Sequence, residues 1–231
     1  MTSETVNRFK EEAAESAASE LHDGMIVGLG SGTTATLAVA AIGKRVKEGL
    51  RIIGIPTSEK TADQARLLNI PLATLEEQPS INVTIDGADE VEEGKLNLIK
   101  GGGGNLLREI IVAVASARMI VVADSRKVVQ HLGTFPLPIE IVPFGWKSTA
   151  QRLEALGAHP KLRLNAAGKT FLTDGGNYIL DCAFGLIESP ENLQTKLDNV
   201  VGVVEHGLFI GIASKALIGE ADGVRVLERQ R

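Results

Sequence analysis

Four short clusters hold the residue types that chemistry needs. Lys100-Gly101-Gly102-Gly103-Gly104-Asn105-Leu106-Leu107-Arg108-Glu109 combines an ammonium, four glycines and a carboxylate. Ordering four consecutive glycines costs much backbone entropy, which a bland loop has no reason to spend. Successive N–H groups in such a loop can form a concave nest for an oxyanion, with the Lys100 ammonium beside it. Glu109 falls in the first turn of the helix that follows. The plainer alternatives are a Glu109 placed for the helix dipole, worth about 0.3–1 kcal/mol, and a Lys100 that snorkels from a strand end.

Asp86-Gly87-Ala88-Asp89-Glu90 sets two carboxylates three residues apart. It reads either as an acid–base pair or as a simple turn, since Asp bends chains and caps helices. As a metal site it lacks partners: His22, His131, His159 and His206 are scattered, with no H-E-x-x-H pattern, and a Mg²⁺ held by carboxylates alone is not indicated. Gly28-Leu29-Gly30-Ser31-Gly32-Thr33-Thr34 is not a dinucleotide fingerprint, because Thr33 stands where the last glycine belongs and Ile53-Gly54-Ile55-Pro56-Thr57 offers no acid. No Walker loop fits either. What survives is a strand, a glycine turn with three hydroxyls, and a helix start whose N–H groups suit a phosphate monoester. The alternative is a tight turn with Ser and Thr as helix caps. Ala123-Asp124-Ser125-Arg126-Lys127 is the fourth cluster, and Lys127 reads as a charge for an anion site or as an ordinary solvated lysine.

The elements that must position these groups alternate in type. Residues 8–21 predict a helix with Phe9, Ala13, Ala17 and Leu21 on one stripe, followed by a strand at 25–29 and a helix at 34–45. A strand at 51–55 and a helix at 58–68 capped by Ser58 come next. Strands at 81–85, 96–99 and 119–123 flank a helix at 106–116. This alternation predicts a mostly parallel α/β sheet, in which reactive loops gather at the carboxyl ends of the strands. Each polar cluster follows a strand. After Lys127 the texture changes, with a strand at 139–142, a helix at 146–156, strands at 161–164, 170–173 and 178–182, and a helix that Ser189-Pro190-Glu191 opens with a Ser189 cap and a first-turn proline. The tail, 207–227, is apolar and is expected to rejoin the first sheet. These textures divide the chain into residues 1–130 plus 207–231 and a smaller α+β unit at 131–206.

Composition narrows the function. The 231 residues carry 24 Lys and Arg against 29 Asp and Glu, a net charge of −5, and 3% are aromatic. No basic block tracks a phosphate backbone and no aromatic platform stacks bases, so nucleic acid is not an expected partner. No apolar run reaches the roughly 20 residues of a membrane span, and the start lacks a signal pattern. A single cysteine, Cys182, suits a reducing compartment. The expectation is a cytoplasmic protein away from the membrane.

Taken together, GLGSGTT, TSEKTADQA, DGADE, KGGGGNLLRE and ADSRK, in that order, closely resemble the ribose-5-phosphate isomerases of type A, almost from end to end. The resemblance implies a Rossmann-like, mostly parallel α/β domain with a smaller α+β lid. It implies a homo-oligomer that interconverts ribose 5-phosphate and ribulose 5-phosphate through an enediolate, in the non-oxidative pentose phosphate pathway, without metal or organic cofactor. Residue by residue, the family's substrate loop matches Ser31, Gly32, Thr33 and Thr34, and its aspartate loop matches Asp86, Gly87, Ala88 and Asp89. Its lysine–glycine nest matches Lys100, Gly101, Gly102 and Gly103, its general base matches Glu109, and Lys10 and Lys127 match lysines near the substrate. On this reading Asp86 opens the sugar ring, while Asp89 holds a hydroxyl or shares in proton movement. Ser31-Gly32-Thr33-Thr34 departs from the more usual Thr-Gly-Ser-Thr, and Asn105 and Arg126 stand where small residues are commoner; no catalytic group is lost. The rival readings are a sugar-phosphate deaminase, a lactonase or a coenzyme A transferase of the same broad fold, and a non-catalytic sugar-phosphate sensor. The compact KGGGG–Glu109 group suits a small substrate, and a single helix before the first strand leaves no room for a DNA-binding module.

Overall fold

The computed structural model describes residues 3–229. The predicted apolar stripe starts it: Phe9, Ala13, Ala17 and Leu21 are buried on α1 (Ser3–Ser19). The chain then alternates through β1 (Ile26–Leu29), α2 (Thr33–Lys47), β2 (Ile53–Pro56), α3 (Glu59–Leu67) and β3 (Val83–Gly87). A short hairpin, β4 (Glu90–Glu92) and β5 (Leu98–Ile99), leads to α4 (Leu106–Val114) and β6 (Met119–Asp124). Next come β7 (Val128–Val129), β8 (Leu137–Ile141), α5 (Trp146–Ala155), β9 (His159–Leu162), β10 (Tyr178–Ala183), α6 (Pro190–Leu197) and β11 (Val203–His206). The tail forms β12 (Leu208–Phe209), β13 (Ala213–Glu220) and β14 (Gly223–Glu228).

The main sheet has the order β14-β13-β6-β3-β1-β2, parallel except for the edge strand β14, so the tail does rejoin it. Both faces are covered. Along β6, Ile120 and Val122 join the core under α1 and α2, whereas Met119, Val121 and Ala123 join the core under α4 and the short strands. A strand buried on both faces must be apolar throughout, which is why residues 119–123 read as a continuous hydrophobic run. A second, antiparallel sheet, β11-β8-β10-β9, packs with α5 and α6 around Leu137, Ile139, Leu153, Leu180 and Leu197.

Three expectations need correction. The strand predicted at 96–99 is only β5, and it belongs to a third small sheet, β12-β5-β4-β7, rather than to the main one. Few residues separate β4 from β5, enough for a hairpin but not for the dozen-residue crossover a parallel neighbour requires. Residues 170–173 make a lone bridge, Thr170 to Leu164, and not a strand. The segment is instead pinned by a buried carboxylate, Glu140, whose Oε1 accepts from Thr173 Oγ1 and Asn177 Nδ2, each at 2.9 Å. Pro190 opens α6 as expected, but the Ser189 side chain does not cap it. Ser58 does cap α3, accepting the Thr61 N–H at 3.1 Å. Among the described residues no helix is long and apolar enough to cross a membrane.

Candidate active site

The carboxyl ends of β1, β3 and β6 open on one side of the main sheet, and β5 adds the glycine loop across them. They enclose a cavity of about 220 Å³. Its wall consists of Ser31, Gly32, Thr33, Thr34, Gly87, Ala88, Asp89, Lys100, Gly101, Gly102, Gly103, Glu109 and Lys127. Two of the residues singled out from the sequence are not in that wall. Asp86 lies behind it with no exposure, and Lys10 on α1 points to Asp124, its Nζ 3.9 Å from Oδ2.

The β1–α2 turn rests on β3. A side chain at position 30 would meet Asp86 Oδ1 at 2.2 Å, so only glycine lets the turn approach this closely. Asp86 Oδ1 then accepts the N–H groups of Ser31 (3.0 Å) and Gly87 (2.7 Å). Gly32 takes φ +91° and begins α2 without a side-chain cap. The hydroxyls therefore do not serve as caps, and the first-turn N–H groups of α2, which have no intrahelical partners, belong to residues beside the cavity that Gly32, Thr33 and Thr34 line. Ser31 Oγ instead packs against Thr57 Oγ1, which donates to Leu29 O at 3.0 Å, while Thr61 Oγ1 donates to Gly30 O at 3.1 Å. Sequence reasoning left Thr57 and Thr61 without a role and gave Ser58 only that of a helix cap. Their density of hydroxyls just past a strand end was the available signal.

Lys100 is the centre of charge. It is 2% exposed, so it does not snorkel. Its Nζ donates to Gly87 O at 2.7 Å and lies 2.9 Å from Asp86 Oδ2 and 3.2 Å from Glu109 Oε2, with the buried Phe209 ring 5.5 Å away. Both carboxylate oxygens are at ion-pair distance, yet neither has an aligned hydrogen bond. Burial alone would pull the lysine down, but Asp86 first and Glu109 second hold it above the usual range. Two carboxylates share this one cation: Asp86 is fully buried, and Glu109 is buried at the cavity wall. Burial pushes Glu109 up to about 8, Lys100 pulls it partly back, and Asp86 adds to the rise. Burial likewise raises Asp86, with Lys100 opposing. A carboxyl shifted this far can take and return a proton near neutral pH, which a helix-dipole role does not require.

The glycine loop completes the wall. Asp89 Oδ2 accepts the Gly102 N–H at 2.7 Å, and a side chain at 102 would strike the same carboxylate at 2.6 Å. Gly101 takes φ +96°. Lys127 closes the far side, its Nζ 5.8 Å from the Phe135 ring centroid. Among the described residues no group of three or more His, Cys, Asp or Glu side chains is placed to hold a metal ion. A glycine loop beside a buried ammonium, a buried carboxyl raised toward neutral pH and a helix start with a lysine in the same wall are together suited to proton transfer beside a carbonyl in a small anionic substrate.

The comparisons with known proteins agree with that chemistry. The family model described as ribose 5-phosphate isomerase A (phosphoriboisomerase A) matches residues 53–223. A ribose-5-phosphate isomerase A of Synechococcus sp. (strain JA-3-3Ab) is 55% identical over 227 residues, 97% of this chain and 99% of its own. That of Gloeobacter violaceus is 53% identical over 220 residues, 95% of each chain. Among solved structures, a D-ribose-5-phosphate isomerase in complex with phospho-erythronic acid superposes with a TM-score of 0.94 at 36% identity, covering 99% of this chain and all of that one (100%). The ribose 5-phosphate isomerase A of Methanocaldococcus jannaschii gives 0.93 at 38% identity, over 96% of this chain and 99% of its own. On the family model and on these near full-length relatives alike, the chain belongs to the ribose 5-phosphate isomerase A family.

Proposed function

We propose that Glu109 carries a proton between neighbouring carbons of an open-chain sugar phosphate, and that Lys100 and the glycine loop stabilise the oxyanion formed on the way. The reaction is the interconversion of ribose 5-phosphate and ribulose 5-phosphate. One observation carries the assignment: a single ammonium faces two buried carboxylate oxygens, and only Glu109 of the two lines the cavity.

The ionised Glu109 takes the proton from the carbon beside the aldehyde. Electron density moves onto the aldehyde oxygen, giving an enediolate whose charge meets Lys100 and the loop N–H groups. Glu109 then returns its proton to the former aldehyde carbon, and a hydroxyl proton moves between the two oxygens. General base catalysis contributes about 10²–10⁴-fold and an oxyanion donor about 10²–10³-fold. The resemblance gives ring opening to Asp86, but Asp86 is buried behind the wall, so in this proposal the role passes to Asp89, which lines the cavity. Asp86, behind it, positions Lys100 and the Ser31 turn. The phosphate fits at the start of α2, beside Ser31, Thr33 and Thr34 and across from Lys127, where the helix N–H groups and the lysine attract it. Lys10 acts from behind, through Asp124 and the loop that carries Lys127.

Solvent exchange tests the enediolate. When ribose 5-phosphate is turned over in D₂O, deuterium is expected on the former aldehyde carbon of the ketose. Ketose free of deuterium would mean either that Glu109 returns its proton before it exchanges or that hydrogen shifts directly. Undiminished turnover by Glu109→Gln in the same experiment would decide for the direct shift and overturn the assignment. Ser31→Ala and Thr34→Ala are each expected to raise KM for the sugar phosphate, and an unchanged KM in both would remove the phosphate from the α2 start.

The same reading makes the protein a cytoplasmic homo-oligomer divided into residues 1–130 with 207–231 and residues 131–206. In support of the division, the core of the second sheet takes its buried members from the 131–206 segment apart from Ile99 and Leu208. In support of an oligomer, Phe144 and Val201 are 93% and 76% exposed at one end of that sheet.

A further inference from the structure

The carbonyls of the glycine loop are held from the second sheet. Arg163, just past β9, donates from Nη1 to Gly101 O at 2.8 Å and Gly102 O at 3.2 Å. Its Nε donates to Asp181 Oδ2 at 2.9 Å, and its Nη2 pairs with Asp181 Oδ1. The side chain is 13% exposed and stands over the Phe171 ring, 5.9 Å from its centroid. Phe171 in turn fills the space that a side chain at position 104 would need.

A trans peptide is planar, so its C=O and N–H point in opposite directions. With the Gly101 carbonyl turned to Arg163, the Gly102 N–H must point away from Arg163, and it reaches Asp89 Oδ2 there at 2.7 Å. By the same rule, the Gly102 carbonyl on Arg163 turns the Gly103 N–H away from Arg163, and Gly103 lines the cavity. That N–H makes no hydrogen bond among the described residues. We propose that Arg163 is a positioning residue for the isomerisation: it sets two consecutive peptide planes so that the Gly103 N–H, beside Lys100, faces the forming enediolate oxygen. Only a guanidinium fits, because it must bind two carbonyls and a carboxylate at once through a fixed fork, which an ammonium does not have. The inference rests on the glycine loop being the oxyanion site.

The test compares Arg163→Met, Arg163→Lys and Lys100→Met with the parent, reading kcat and KM for ribose 5-phosphate and the affinity for phospho-erythronic acid. The carboxylate of that acid offers oxygens where the enediolate would have them. For Arg163→Met, kcat is expected to fall about ten-fold or more with KM within about three-fold, and phospho-erythronic acid to bind about ten-fold more weakly. A kcat within about two-fold of the parent, or undiminished affinity for the acid, would overturn the proposal. Should Arg163→Met fail to fold, Arg163→Lys keeps a cation beside Asp181 without the fork, and it is expected to lower kcat at unchanged KM; a parental kcat there overturns the proposal equally. Lys100→Met separates the two layers of the argument. If the acid binds Lys100→Met as tightly as the parent, the oxyanion site itself is misplaced; if it weakens there but not in Arg163→Met, only the role of Arg163 fails.

Discussion

Lys100 keeps its ammonium between two buried carboxylates, and that imbalance sets the behaviour of Glu109. The protonated carboxyl is the form the fold favours, because burial raises Glu109 from 4.5 to about 8. The resulting stabilisation is complete below 4.5 and is lost as pH rises through about 8. Activity runs the other way, since the base must be ionised. We therefore expect kcat/KM to climb with pH and level off above about 8. A flat profile across the neutral range would contradict the shift. Glu109→Gln replaces the carboxylate by a neutral group of similar shape, so its melting temperature is expected to exceed that of the parent at about pH 8.5 and to approach it at about pH 5. Equal melting temperatures at both pH values would show that Glu109 is not destabilised by ionisation. Lys100 and Glu109 stood out in the sequence because costly consecutive glycines lie between them, and their roles, like that of Asp89, came from the resemblance to the isomerase family. The burial of Asp86 was not legible, since one Asp in a DGAD turn looks like the other until the β1–α2 turn lies on top of it.

At the scale of elements, the site depends on how closely loops and helices can lie on the main sheet. Helix α1 approaches β13 at Gly219, where an added side-chain carbon would sit 1.8 Å from Phe9 O, a backbone atom that cannot step aside. Gly219→Ala is expected to cost about 1–3 kcal/mol, read as a lower melting temperature, and to loosen the helix that carries Lys10. An unchanged melting temperature would mean that α1 is not docked this tightly. A four-residue stripe made α1 readable, the Ser58 cap marked α3, and short apolar runs marked the parallel strands. Such reading failed at β5, whose two residues carry no period, and at 170–173, where a buried Glu140 and not a strand ladder holds the chain. Arg163 was invisible for another reason. Its partners, Gly101 and Gly102, lie about sixty residues earlier, and no local pattern announces a contact made across sheets.

For the whole molecule, the second sheet does two jobs in the proposed account: it holds the glycine loop through Arg163 and it offers an apolar end for another copy. Val142, Phe144, Val201 and Val204 are exposed there, and the Val142 N–H donates to Gly202 O at 2.9 Å, which joins the two turns that carry them. Phe144→Glu is expected to turn an oligomer into a monomer in sedimentation velocity, and a variant that sediments like the parent would place the interface elsewhere. Everything the fold assembles around the cavity converges on one carboxyl group. The most direct test of the account is the steady-state turnover of ribose 5-phosphate by folded Glu109→Gln beside the parent. A fall in kcat of about 10²-fold or more with KM little changed is predicted; near-parental turnover would contradict the central claim that Glu109 moves the proton.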